Sequence, residues 1–314
     1  MDDPLIVARA VHFAATLTLA GVAIFNIFVG QPATRVADGA ELQALVGRRL
    51  ALIGWSALAL TLLSGAAWFV LVAQSIIDQP LADVLADGEG LRIVLLETDF
   101  GRDWLTRLVL TVVLALLLAA ELRGGRDRRR SLKLAIVLAA ASLAGSLAWA
   151  GHGVGGSGIA GNVHLAADFL HLVAAAVWVG GLLPLALLLA AAQRAAAMKV
   201  ARAASLRFSA CGVAAVGVLI LTGAVNTWYL AGSIHALSAT KYGHLLLGKI
   251  ALFLVMLALA TINRLWLTPS LTDGKPAGDA LRQLRRNVVI EIAAGALVIA
   301  VVAVLGLTPP AIGQ

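Results

Sequence analysis

Long apolar runs, separated by short polar segments, fill the chain from end to end. About 20 largely apolar residues in helical form are needed to cross a bilayer core. Eight segments meet that length: 5–29, 48–74, 104–122, 132–150, 164–190, 208–231, 243–266 and 286–307. The pattern predicts an all-α polytopic membrane protein with eight transmembrane helices.

Composition agrees. Of 314 residues, 61% are hydrophobic and 13% charged, and the mean hydropathy is +0.94. A soluble domain carries about 25% charged residues. The net charge of +7 does not point to nucleic acid, because the basic residues fall in short loops between apolar spans. That is the positive-inside pattern, and it orients the helices. Arg35, Arg48 and Arg49 lie in the first loop, and the run Arg123 to Lys133 forms the third. Arg194, Lys199, Arg202 and Arg207 mark the fifth loop, and Arg264, Lys275, Arg282, Arg285 and Arg286 the seventh. Odd loops therefore face the cytoplasm and both termini face outward. The opening MDDPLIV has acids where a secretory signal carries lysine or arginine, so its apolar run is taken as the first helix. The single cysteine, Cys211, excludes a disulfide framework and a CxxC metal motif.

An internal repeat divides the chain into 1–150 and 151–314. RAVHFAATLTLAG in helix one aligns with DFLHLVAAAVWVG in helix five, placing His12 on His171 and Gly21 on Gly180. Helix two holds LLSGAAW and helix six LTGAVNTW. Thr98, Gly101 and Arg107 of helix three fall opposite Thr240, Gly243 and Lys249 of helix seven. Four spans separate the copies, so the repeat is parallel, a 4+4 arrangement about an axis along the membrane normal. The halves diverge at informative places: Arg9 stands opposite Asp168, and Arg102 opposite His244. The longest outer loop, 75–103, contains an apolar run from Leu91 to Leu96 between acids, which predicts a short interfacial helix.

Candidate chemistry concentrates in Gly151 to Pro184. His164, Asp168 and His171 recur at i, i+4 and i+7 and so share one helix face. His152 sits on the glycine-rich loop leading in. Imidazoles and a carboxylate at that spacing are metal ligands by type. His12 and His244 open helices one and seven at the same outer side. Among intramembrane polar residues, Asn226 and Asn263 are suited to interhelical hydrogen bonds. Lys249 either snorkels outward or pairs with Asp168. The glycines Gly180, Gly181 and Gly217 suit close helix packing. GHLLLGK imitates a P-loop but ends in Ile250 where Ser or Thr is required, and no strand precedes it. No nucleophile elbow, GxGxxG turn or HExxH helix occurs, so no enzymatic activity is expected.

DFLHLVAAAVWVGGLLPL (Asp168 to Leu185) resembles the most diagnostic segment of the copper resistance protein D (CopD/PcoD) family. RFSACGVAAVGVLILTGAVNTWYLAG and TKYGHLLLGKIALFLVMLALATINR are similar to the segments that follow it, and RAVHFAA to the family's first helix. The resemblance implies a bacterial inner-membrane protein of copper resistance with periplasmic termini, moving copper from periplasm toward cytoplasm. It marks His164, Asp168 and His171 as copper-associated, with His12 and His244 beside them. A periplasmic copper chaperone is an implied partner. Only Met1, Met198 and Met256 carry thioethers, so no methionine ladder crosses the membrane. Imidazole and carboxylate suit Cu(II), or Cu(I) held by histidines alone. The alternative is a haem b redox protein, with His12 and His171 as axial ligands within the bundle.

Overall fold

The computed structural model of the chain describes residues 3–36, 40–123, 129–151, 158–195, 197–272 and 275–313. Among these residues there is no strand, and eight helices are long and apolar enough to cross a membrane. In chain order they are Pro4–Thr34, Glu41–Ile77, Asp99–Arg123, Arg130–Ala150, Gly158–Arg194, Met198–Ala231, Lys241–Leu267 and Ala277–Leu305. All eight predicted spans are present, most of them extended into the loops. The sixth starts ten residues early because MKVARAASLR, though polar, is made of good helix formers.

The first and fifth helices form the centre of the bundle. Of their apolar windows 72% and 61% are buried, against 11% for the seventh and 17% for the third. They touch where Gly21 meets Gly180. A Cβ on Gly21 would collide with the Gly180 backbone, and one on Gly180 with the Leu17 carbonyl. Only two hydrogens facing each other allow this approach, which gives dispersion contact that lipid cannot supply. Gly181 likewise accommodates Phe208, whose ring would lie 2.7 Å from an added Cβ. Gly217 departs from expectation: nothing lies within 4 Å of a Cβ built there, so it packs no neighbour. Trp68 and Trp178 are core residues at 1% and 2% exposure, whereas Trp55, Trp149 and Trp228 are exposed.

The outer ends of the third and seventh helices are built alike. Thr98 accepts a hydrogen bond from the Gly101 N–H, and Thr240 one from the Gly243 N–H, each at 3.0 Å. Each cap satisfies one of the donors that a helix start leaves unpaired. A short helix precedes each cap, Gly88–Glu97 in one case and Ile234–Ala239 in the other. The glycine one turn later lets that helix fold down: a Cβ would strike the Val94 carbonyl at Gly101 and the Leu237 carbonyl at Gly243. The helix predicted in the 75–103 loop is therefore real. Its Val94 packs with Val84 of the preceding short helix Leu81–Ala86 and with Ala73 near the end of the second helix.

Two spanning helices loosen to π-helix near the end where the arginine-bearing loops lie, at Asn26–Gly30 and Asn263–Leu267. Such single-turn widenings are frequent at functional sites.

Candidate metal centre

The fifth and sixth helices run antiparallel and meet in three rungs. On the innermost, His171 Nδ1 lies 2.9 Å from the Thr222 hydroxyl. Thr222 gives its own proton to the Val218 carbonyl at 2.6 Å. The proton in the His171–Thr222 bond must then come from the ring, which leaves Nε2 with its lone pair. On the next rung, Asn226 Nδ2 donates to Asp168 Oδ1 at 3.0 Å. On the outermost, the buried His164 ring stacks on Tyr229, centroids 4.9 Å apart and planes 8° off parallel. The seventh helix closes this side. The Lys249 ammonium acts on both Asp168 and His171, and Tyr242 adjoins Asp168. Lys249 is half-buried. Asn226 Oδ1 is buried without a hydrogen-bond partner, an acceptor atom open to a cation or a water.

His12 is anchored in the same manner on the second helix. Its Nδ1 stands 3.2 Å from both the Thr61 carbonyl and the Ser64 hydroxyl. Ser64 gives its proton to Leu60 at 2.6 Å, so again the ring donates through Nδ1. The surroundings differ. Arg9 and Arg107, 6% and 3% exposed, lie over the Trp68 indole at 5.0 and 4.8 Å from a ring centroid. Cation–π attraction offsets part of the cost of burying these guanidiniums, and Arg9 also reaches the Ala150 carbonyl at 3.5 Å. Arg107 Nε donates to the Asp103 carbonyl, while Nη1 and Nη2 find no acceptor. Trp104 from the third helix donates to the Gly65 carbonyl at 2.8 Å and closes this group. Each imidazole has a cation nearby, Arg107 at His12 and Lys249 at His171, and the second group adds the Asp168 carboxylate, which attracts a metal cation.

The remaining sequence candidates disperse. His244 is exposed, its Nε2 facing the Ser238 carbonyl at 2.9 Å. His152 lies outside the described residues. Among the described residues, no three of His, Cys, Asp and Glu are gathered closely enough to form a metal cage. The structure thus keeps His164, Asp168 and His171 on one face in company with Lys249 and Asn226. It sets His12 in a separate group within its own half.

Asn263 belongs to another centre, which spacing alone does not reveal. Its Nδ2 donates to Glu291 Oε1 at 2.7 Å, and its Oδ1 accepts from Asn287 at 2.8 Å. Trp178 is a further donor to the same carboxylate. Glu291 is absent from the candidates drawn from the sequence, although a lone acid inside an apolar span is itself a signal.

Residues 202–305 match the family model described as copper resistance protein D, and residues 1–162 match its N-terminal domain model. The chain is 30% identical over 325 residues to copper resistance protein D of Pseudomonas syringae pv. tomato, covering 99% of this chain and 98% of that one. It is 28% identical over 309 residues to the inner membrane protein YebZ of Escherichia coli K12, covering 97% and 98%. A 173-residue stretch is 34% identical to the copper transport protein CutJ of Bacillus subtilis 168, spanning 55% of this chain and 32% of CutJ. No solved structure matches the chain. With both halves matched and one relative alike from end to end, the chain belongs to the copper resistance protein D family.

Proposed function

We propose that this protein takes copper at the periplasmic face of a bacterial inner membrane, at His164, Asp168 and His171, and passes it toward the cytoplasm. The observation that carries the reading is the contact of His171 Nδ1 with a Thr222 hydroxyl that bonds Val218: a ring held through Nδ1 presents Nε2 as a ligand, three residues from a carboxylate on the same helix face. Arriving metal displaces the Lys249 charge from Asp168, and Asn226 holds the carboxylate in place meanwhile. His152 on the incoming loop completes the donor set, with His244 at the mouth.

The chain is a 4+4 parallel repeat, 1–150 and 151–314, with both termini periplasmic. Corresponding bonds support it: His12 to Ser64 and His171 to Thr222, Thr98 to Gly101 and Thr240 to Gly243. The first pair sets the register, placing Trp68 opposite Asn226. The first half keeps Arg9 and Trp68 where the second carries Asp168 and Asn226, while both halves keep a cation, Arg107 in one and Lys249 in the other. Copper therefore belongs to the second half, and His12 is a structural counterpart at the repeat interface.

Copper titration of the detergent-purified protein tests this. His164→Ala combined with His171→Ala should abolish binding; undiminished stoichiometry and affinity would overturn the reading. Haem b would use the same Nε2 lone pairs, so an absorption spectrum of the same sample separates the alternatives. A Soret band lost in His171→Ala favours haem.

A further inference from the structure

Two turns of the seventh helix below Lys249 lies Met256, and two turns below that lies Asn263. These positions, i, i+7 and i+14, follow one helix face inward from the copper site. Met256 is buried, its methyl 3.6 Å from where a Cβ on Gly295 would be. Asn263 opens the π-turn and bonds Glu291, which is 2% exposed. Below them is a cavity of about 160 Å³ between the fifth, sixth, seventh and eighth helices. Trp178, Ser205, Ser209, Asn263, Arg264 and Glu291 line it. The volume exceeds the roughly 30 Å³ share of one water several times over, and its largely apolar wall carries polar points at Ser205, Ser209, Thr261 and Glu291.

Among the described residues the donors to Glu291, Asn263 and Trp178, are neutral. Arg264 is the charged side chain that shares its cavity, and it is exposed and donates instead to Ser209 at 2.7 Å. From the fifth, sixth and eighth helices the described lining residues bring no other charge to Glu291. A carboxylate buried within an apolar spanning helix, beside a cavity large enough for several waters, is the kind of group membrane proteins use for proton relays.

We propose that Glu291 is a proton-exchange site within the membrane, reached through this cavity from the side that bears the arginine-rich loops. The proton binds the Oε2 oxygen, forming an O–H bond, and leaves again to cavity water; no electrons move. Asn263, held by Asn287, keeps Oε1 occupied, which leaves Oε2 as the oxygen for exchange, with Trp178 as a second donor to the carboxylate. The inference rests on the transport reading only for the side it names as inner.

The test is infrared difference spectroscopy on the full chain in lipid nanodiscs, recorded across a pH series without copper. A carboxylic C=O band that grows and fades with pH, disappears in Glu291→Gln and returns shifted in Glu291→Asp supports the site. A spectrum in which no such band responds to pH, or in which the band persists in Glu291→Gln, overturns it. Copper titration of Glu291→Gln should match the wild type, which separates failure here from failure of the copper site. Loss of copper binding in that variant would make Glu291 a metal ligand and equally overturn the proposal.

Discussion

His171 donates from Nδ1 to a Thr222 hydroxyl whose own proton is committed to Val218, so one side chain on the sixth helix sets which nitrogen of a fifth-helix imidazole can bind metal. Metal-ligating histidines are typically oriented this way, and loss of the orienting partner costs about 10–100-fold in affinity. Thr222→Val should weaken copper binding by that order, whereas Thr222→Ser should retain it. Titrations of the two variants side by side check the relationship.

The two anchored histidines should behave oppositely. Beside Arg9 and Arg107, His12 faces positive charge. His12→Ala should leave copper stoichiometry unchanged, while His171→Ala lowers it. Equal losses in both variants would place copper between the halves of the repeat instead.

The glycine contact at the centre makes a stability prediction. Gly180→Ala inserts a methyl where the Leu17 carbonyl already sits, and overpacking of this kind costs about 1–3 kcal/mol. Gly217→Ala meets nothing within 4 Å and should be neutral or slightly stabilising, since alanine is the better helix former. Thermal unfolding in detergent should show a lowered midpoint for the first and not for the second.

Removing the Asn263 amide should harm folding more than removing an ordinary interhelical bond. Bacteriorhodopsin-type side-chain bonds average about 0.6 kcal/mol, but Asn263→Leu leaves a buried carboxylate short of its donor, a loss of about 1–3 kcal/mol or more. Asn263→Gln, which keeps the amide, should recover part of it. Denaturation midpoints of the pair report the difference.

Helix number was legible because span length and apolar content are dictated by the bilayer. So was the pairing of His12 with His171, since the motif around each is continuous in sequence. The register between the second and sixth helices was legible too, because LSGA (Leu63 to Ala66) matches LTGA (Leu221 to Ala224) nearly position by position, whereas aligning the tryptophans matches Trp68 and Trp228 alone. The bonds of Ser64 and Thr222 to their histidines follow the same alignment. Gly217 looked like Gly180 in sequence, yet which glycines pack depends on helix rotation, and no local pattern encodes it. Glu291 went unremarked for a similar reason: its partners, Asn263 and Trp178, are far away in the chain. The face shared by His164, Asp168 and His171 was readable from spacing, but the rungs opposite it, Tyr229, Asn226 and Thr222, required the sixth helix in place.

The central claim is that copper sits on imidazole nitrogen at the outer end of the fifth helix. X-ray absorption at the copper edge of the loaded protein tests it most directly. The account predicts nitrogen and oxygen neighbours with imidazole scattering that disappears in the His164→Ala, His171→Ala double variant. A first shell dominated by sulfur, or imidazole scattering undiminished in that variant, would contradict it.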